Sequence, residues 1–144
     1  MRSTPRVILA GLAVLLVGTA VFAVIRARSG SGDAELDGTS WTLTGWSSST
    51  SPADFDITAE FNGGQISGSS AVNRYSGSYT ATSAGAFSTG ELISTLMAGP
   101  EPAMTAETTY LALLKSASSF TRDGDTLTLL DSGGTEQLTY AATK

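Results

Sequence analysis

Alternation of apolar and polar residues organises most of this chain. In residues 54–61 (DFDITAEF), Phe55, Ile57, Ala59 and Phe61 take every second place, with Asp54, Asp56, Thr58 and Glu60 between them. Strand side chains point to opposite faces in turn, so this spacing predicts a half-buried β-strand. Residues 40–45 (SWTLTG) alternate likewise, with Trp41 and Leu43 on one face and Thr42 and Thr44 on the other. The Ser-rich stretch 46–53 predicts a loop, with Trp46 covering a core edge. Asn62-Gly63-Gly64 tolerates positive φ, so a tight hairpin returns the chain into residues 65–70. Residues 67–79 (SGSSAVNRYSGSY) read as a strand, a constrained turn and a second strand, the latter over residues 76–82. After a turn at Ala84-Gly85, residues 86–95 give one or two short strands. The last strands are residues 119–122, 125–130 and 136–141, separated by turns at Asp123-Gly124 and Gly133-Gly134.

One stretch has a helical period instead. Pro100 and Pro102 break any regular element over residues 98–102. Beyond them Ala103, Ala106, Tyr110, Leu113, Leu114 and Ala117 recur at spacings of three and four, predicting an amphipathic helix over about residues 103–118. Thr105 is the expected N-cap, and Glu107 and Lys115 complement the helix dipole at its two ends. The pattern is that of an α+β domain. It predicts a strongly twisted antiparallel sheet or incomplete β-barrel of about eight strands, with one helix packed on it.

The start of the chain is different. From Val7 to Ile25 there is no charge and almost no polar residue, and Arg2, Arg6, Arg26 and Arg28 flank the run. At about 1.5 Å rise per residue this run nearly spans a hydrocarbon core of about 30 Å. It reads as a transmembrane helix or signal anchor, longer than the usual apolar run of about 7–15 residues in a cleavable signal. The alternative is a signal cleaved near Ala23, giving a secreted domain. The arginines balance across the segment, so the positive-inside rule barely votes. The expected organisation is a cytoplasmic N-terminus (1–6), a membrane segment (7–25), a Gly- and Ser-rich linker (26–35) and one folded domain (36–144). The domain is expected to lie outside the cytoplasm on a single-pass membrane protein.

Composition narrows the chemistry. From Asp33 onward four basic residues (Arg74, Lys115, Arg122, Lys144) face thirteen acidic ones, a net charge of −9. Such a domain repels phosphate backbones, which excludes nucleic acid as an expected partner. There is no His and no Cys, so a Ser-His-Asp triad, a Cys nucleophile and most zinc sites are excluded. No serine stands in a G-x-S-x-G or S-x-x-K setting, and no phosphate loop or dinucleotide fingerprint is present. Asp54, Asp56 and Glu60 share a strand face that a cation or a glycosidase-like pair would need, although alternation alone also predicts a solvated face there. Asp123-Gly124-Asp125 lacks the remaining ligands of a calcium loop and reads as a turn. The expectation is no enzyme, no cofactor and no metal.

Asn73-Arg74-Tyr75 is the most compact polar-aromatic cluster. An amide, a planar cation and an aromatic on one turn make a candidate binding surface. The competing reading is structural: Asn73 bonds neighbouring backbone, Tyr75 packs inward and Arg74 pairs with an acid. The aromatics Trp41, Phe55, Phe61, Tyr79, Phe87 and Tyr110 read as core, or in part as the lining of a cavity for an acyl chain.

Taken in order, GTSWTLTG (38–45), ISGSSAVNRYSGSY (66–79), ELISTLMAGPEPAM (91–104), the helix with Glu107, Tyr110 and Leu111, and DTLTLLDSGG (125–134) resemble the META domain family of HslJ-like heat-shock proteins. The resemblance covers the whole domain. Where the family often carries Gly-Cys before the Asn and Met-Ala-Cys before the Pro, this chain has Ala71-Val72 and Met97-Ala98-Gly99. If those cysteines pair in relatives, this chain forgoes the bridge. The resemblance implies an envelope or secreted protein tied to heat shock or antibiotic resistance. It also implies a cracked barrel similar to lipid-holding pilot lipoproteins, a likeness of fold that does not carry function. The expected role is envelope maintenance or stress resistance through contacts with an envelope protein. The alternative is a carrier of lipid or a small apolar ligand in a cavity between helix and sheet.

Overall fold

The computed structural model describes residues 35–143. The sequence-predicted membrane segment Val7 to Ile25 and the residues up to 34 lie outside the described residues. Among the described residues, no helix is long and apolar enough to cross a membrane.

The strands are β1 (Thr39–Trp46), β2 (Thr58–Asn62), β3 (Gln65–Ser69), β4 (Arg74–Ala81), β5 (Phe87–Thr89), β6 (Ile93–Ser94), β7 (Ser119–Asp123), β8 (Thr126–Leu130) and β9 (Glu136–Ala142), and the helix α1 (Glu101–Ser116) precedes β7. Eight of them form a continuous antiparallel path, β5-β4-β3-β2-β1-β9-β8-β7, and β6 pairs with β4 off that path. The last strand therefore lies beside the first. The ends of the path meet at an Ala86–Ser119 bridge, where Phe87 N–H donates to Ser118 O (3.0 Å) and Phe120 N–H to Gly85 O (2.8 Å). Phe87 and Phe120 touch edge-to-face beneath this seam, with centroids 6.3 Å apart. The result is a nearly closed eight-strand antiparallel barrel-like sheet with one helix. Near-closure leaves little bare strand edge.

Alternation placed the inward residues correctly. Trp41, Leu43, Ile57, Ala59, Phe61, Leu127, Leu129, Leu138 and Tyr140 are buried. Of the aromatics assigned to the core, Phe55 is only half-buried, and Trp46 packs on the core edge. Gly63 and Gly64, at φ 62° and 79°, make the β2–β3 hairpin between the paired residues Asn62 and Gln65. Gly68 has a steric role: a Cβ there would stand 2.2 Å from the Thr58 carbonyl oxygen.

Several boundaries differ from the sequence reading, among them β4, which begins at Arg74 rather than at residue 76. β2 begins at Thr58 because Pro52–Asp54 winds into a 3-10 turn, capped by Ser51 Oγ accepting from the Ala53 N–H. Asp54 therefore leaves the carboxylate face predicted for one strand. The turn between β7 and β8 is Gly124-Asp125, one residue later than predicted, since Asp123 pairs with Thr126. The prolines start the helix rather than stop the chain before it. Pro100 is the N-cap, and Pro102 sits in the first turn, where a missing N–H costs nothing. Thr105 consequently lies inside α1, and the helix ends at Ser116.

Candidate functional site

The turn between β3 and β4 brings the predicted cluster together and then divides it. Asn73 and Tyr75 are 3% and 2% exposed, and only Arg74 reaches solvent. A surface made of all three side chains is not what the fold presents. The cause is strand alternation: Arg74 and Ser76 face out and Tyr75 faces in. The turn itself is constrained, with Ala71 at φ 91°, a left-handed conformation that costs a residue with a Cβ about 1–3 kcal/mol.

Asn73 uses every hydrogen-bonding position it has. Its Oδ1 accepts from the Met97 N–H (2.6 Å) and Thr95 Oγ1 (2.9 Å), and its Nδ2 donates to Met97 O (3.1 Å) and Glu107 Oε2 (2.8 Å). Its backbone N–H donates to Glu107 Oε1 (2.7 Å), and its carbonyl accepts from the Ser70 N–H (2.8 Å). Ser70 Oγ lies 2.7 Å from Glu107 Oε1 and 2.9 Å from Asn73 O. A hydroxyl has one proton, and the nearer, charged carboxylate is the stronger acceptor. Asn73 thus ties the β3–β4 turn to α1 and to the segment 92–99 that carries β6.

Glu107 is buried rather than dipole-complementing at a helix end. Burial alone would raise its pKa. The hydrogen bonds from Asn73, Ser70 and the turn backbone outweigh that and hold the carboxyl below the ordinary range. The clue in the sequence was its place on the apolar stripe, three residues before Tyr110 and seven before Leu114.

Behind this knot lies a chain of three phenols. Tyr75 OH donates to Thr58 O (2.7 Å), so it accepts from Tyr110 OH (2.7 Å), which accepts from Tyr140 OH (2.9 Å). Tyr110 and Tyr140 are fully buried. Burial pushes all three hydroxyls well above the ordinary tyrosine range, so they stay neutral. The Thr58 carbonyl that terminates the chain occupies the space left by the missing side chain of Gly68.

Open features on the surface of the described residues include a groove and a cleft. A groove of about 310 Å³ is lined by Arg74, Ser67, Ser76, Ile93, Ser94 and Thr95 together with Tyr75. Segment 92–99 beside it exposes Ile93, Leu96 and Met97. A larger cleft of about 680 Å³ runs between the loop after β1 and the first half of α1, with Ser48, Ser51, Phe55, Pro102, Thr105 and Thr109 in its walls. Asp54, at the cleft, and Asp56 and Glu60 are exposed. Among the described residues, no three His, Cys, Asp or Glu side chains are placed to hold a metal ion. Sequence reasoning missed both open features, because apolar residues such as Leu96 default to the core in a pattern-based reading.

A family model described as META domain matches residues 34–144. Three solved structures share the fold. A protein from Burkholderia xenovorans, solved by NMR, is 28% identical with a TM-score of 0.63, covering 78% of this chain and 86% of its own. A second NMR structure is 22% identical, with a TM-score of 0.57 and coverages of 76% and 92%. The crystal structure of a DUF4847 family protein from Bacteroides vulgatus is 12% identical, with a TM-score of 0.61 and coverages of 78% and 97%. The last two likenesses are of fold alone. No curated protein matches the chain.

Proposed function

The chain belongs to the META domain family, and from that premise we propose that it is a membrane-anchored, exported, non-enzymatic member. It acts in envelope maintenance or stress resistance through contacts with an envelope protein. The observation that carries this reading is the contrast between a filled interior and an open cleft. Between helix and sheet, Tyr75, Tyr110, Leu114 and Tyr140 are each at most 2% exposed. An acyl chain would have to displace them, which weighs against the carrier alternative. The cleft beside α1 is of the size that binding sites have, and its lining mixes apolar Phe55, Pro102 and Ala106 with hydroxyls and the carboxylates of Asp54 and Glu101. Anchoring rests on the uncharged run from Val7 to Ile25 and on the linker that follows it.

The test is complementation of a deletion strain under envelope stress. Thr105 is exposed in the cleft wall, so Thr105→Arg should block a partner while the melting temperature stays within about 2 °C of wild type, as surface substitutions do. Loss of rescue at unchanged stability is the expected outcome. Full rescue by Thr105→Arg would remove the cleft as the contact, and full rescue by a chain without residues 1–32 would remove anchoring.

A further inference from the structure

We propose that the Arg74 groove and segment 92–99 form a bilayer-docking face, in which exposed apolar side chains enter the lipid surface and Arg74 takes a phospholipid headgroup phosphate. The inference rests on the reading that the chain is membrane-anchored. Ile93, Leu96 and Met97 are 65%, 94% and 63% exposed within five residues. Isolated exposed apolar residues need no account, but a contiguous group marks an interaction site.

The segment is held rather than loose. Thr95 N–H donates to Arg74 O (3.0 Å), Arg74 N–H donates to Thr95 Oγ1 (3.1 Å), and Asn73 Oδ1 takes the Met97 N–H. Its side chains are presented outward on a fixed backbone, so binding need not order them first. These same bonds set Thr95, the residue before Leu96, against Arg74.

The groove chemistry fits a phosphate. Arg74 stands with the hydroxyls of Ser67, Ser76 and Ser94, that of Thr95 being spent on Asn73 Oδ1, and no carboxylate is in the lining. By register the nearest one is Glu60, opposite Ser67 on β2, on the side away from β6. In a domain of net charge −9 this is a local exception. A guanidinium matches phosphate oxygens two at a time, and apolar residues beside a cation are what the membrane interface accommodates.

The tether selects the bilayer over a soluble occupant. Ten residues separate Ile25 from Leu36 in the sequence, a reach of at most about 36 Å. A domain held that close meets lipid at high effective concentration.

The chain has no Cys, so Leu96→Cys carries a single label. The full chain, labelled there with the environment-sensitive fluorophore NBD, is reconstituted into equimolar phosphatidylcholine–phosphatidylglycerol vesicles. Flotation reports anchoring, and doxyl-lipid quenching reports insertion. The expected result is flotation with blue-shifted, quenched emission at residue 96, and flotation with neither shift nor quenching for Thr126→Cys, whose side chain is exposed at the start of β8. Adding Arg74→Ala should weaken the quenching about fivefold, the worth of one cation at a bilayer surface. Flotation with unshifted emission at residue 96 would overturn the face and leave anchoring intact. A blue shift without doxyl quenching would mean that protein covers the segment, and would overturn it too. Absence of flotation would overturn both readings.

Discussion

Glu107→Leu is expected to lower the melting temperature of the full chain's folded domain by roughly 10–15 °C, or about 3 kcal/mol. The carboxylate is the shared acceptor for the Asn73 N–H, Asn73 Nδ2 and Ser70 Oγ. Leucine leaves the buried Asn73 N–H with no acceptor at that place, and an orphaned buried donor costs more than an average hydrogen bond contributes. Glu107→Gln should cost less, because its oxygen can still accept from Asn73 N–H and Ser70. Its amide nitrogen then faces Asn73 Nδ2, a donor against a donor. The pH dependence follows from the depressed pKa of Glu107. Its stabilisation is complete above the ordinary value of 4.5 and is lost as pH falls through the lower, folded-state value. Thermal melts from pH 7 downwards should therefore show wild type and Glu107→Leu converging at the acid end. Equal melting temperatures at neutral pH would contradict the role given to this carboxylate.

Oxidising the double variant Val72→Cys, Gly99→Cys is expected to raise the melting temperature by roughly 8–15 °C. An ideal Cβ at Gly99 lies 3.5 Å from Val72 Cβ. Bridged cysteines have Cβ atoms about 3.5–4.5 Å apart, so the backbone already stands at disulfide distance. In the chain-entropy limit, closing the loop from residue 72 to residue 99 stabilises by about 3.5 kcal/mol, and engineered bridges often return less. Gly99→Ala alone should destabilise, since its Cβ would stand 2.8 Å from Val72 Cγ2. These are the two positions at which the resemblance to the META family implies cysteines. Here Val72 packs over Gly99 instead. Thiols that stay titratable after oxidation, or an oxidised form that melts no higher than the reduced one, would count against the geometry.

Much of the barrel was legible because one wet face and one dry face force a period of two. That is why the inward set from Trp41 to Tyr140 could be read from the chain. The helix start was not, because a proline pair is compatible both with a break and with a first helical turn. The site was harder still. Periodicity assigns a residue to a face but does not name its partner. Nothing local says that Asn73 and Glu107 meet across the fold, or that one asparagine fixes the backbone of Met97. Read from the sequence, Arg74 and Tyr75 are turn residues on one surface; their opposite faces follow only once β4 is seen to begin at Arg74. The solvent exposure of Leu96 was not legible, because that depends on bonds made by Thr95 and Met97 to a distant turn.

Asn73 ties the β3–β4 turn to α1 and mounts segment 92–99 rigidly against it. Amide hydrogen exchange at Met97 tests it most directly. The side chain of Met97 is exposed, so exposure alone predicts exchange at the rate of a free loop. Its N–H is bonded to Asn73 Oδ1 at 2.6 Å, and the account predicts protection comparable with the β3–β4 ladder. Exchange at the intrinsic rate in the native protein would contradict it.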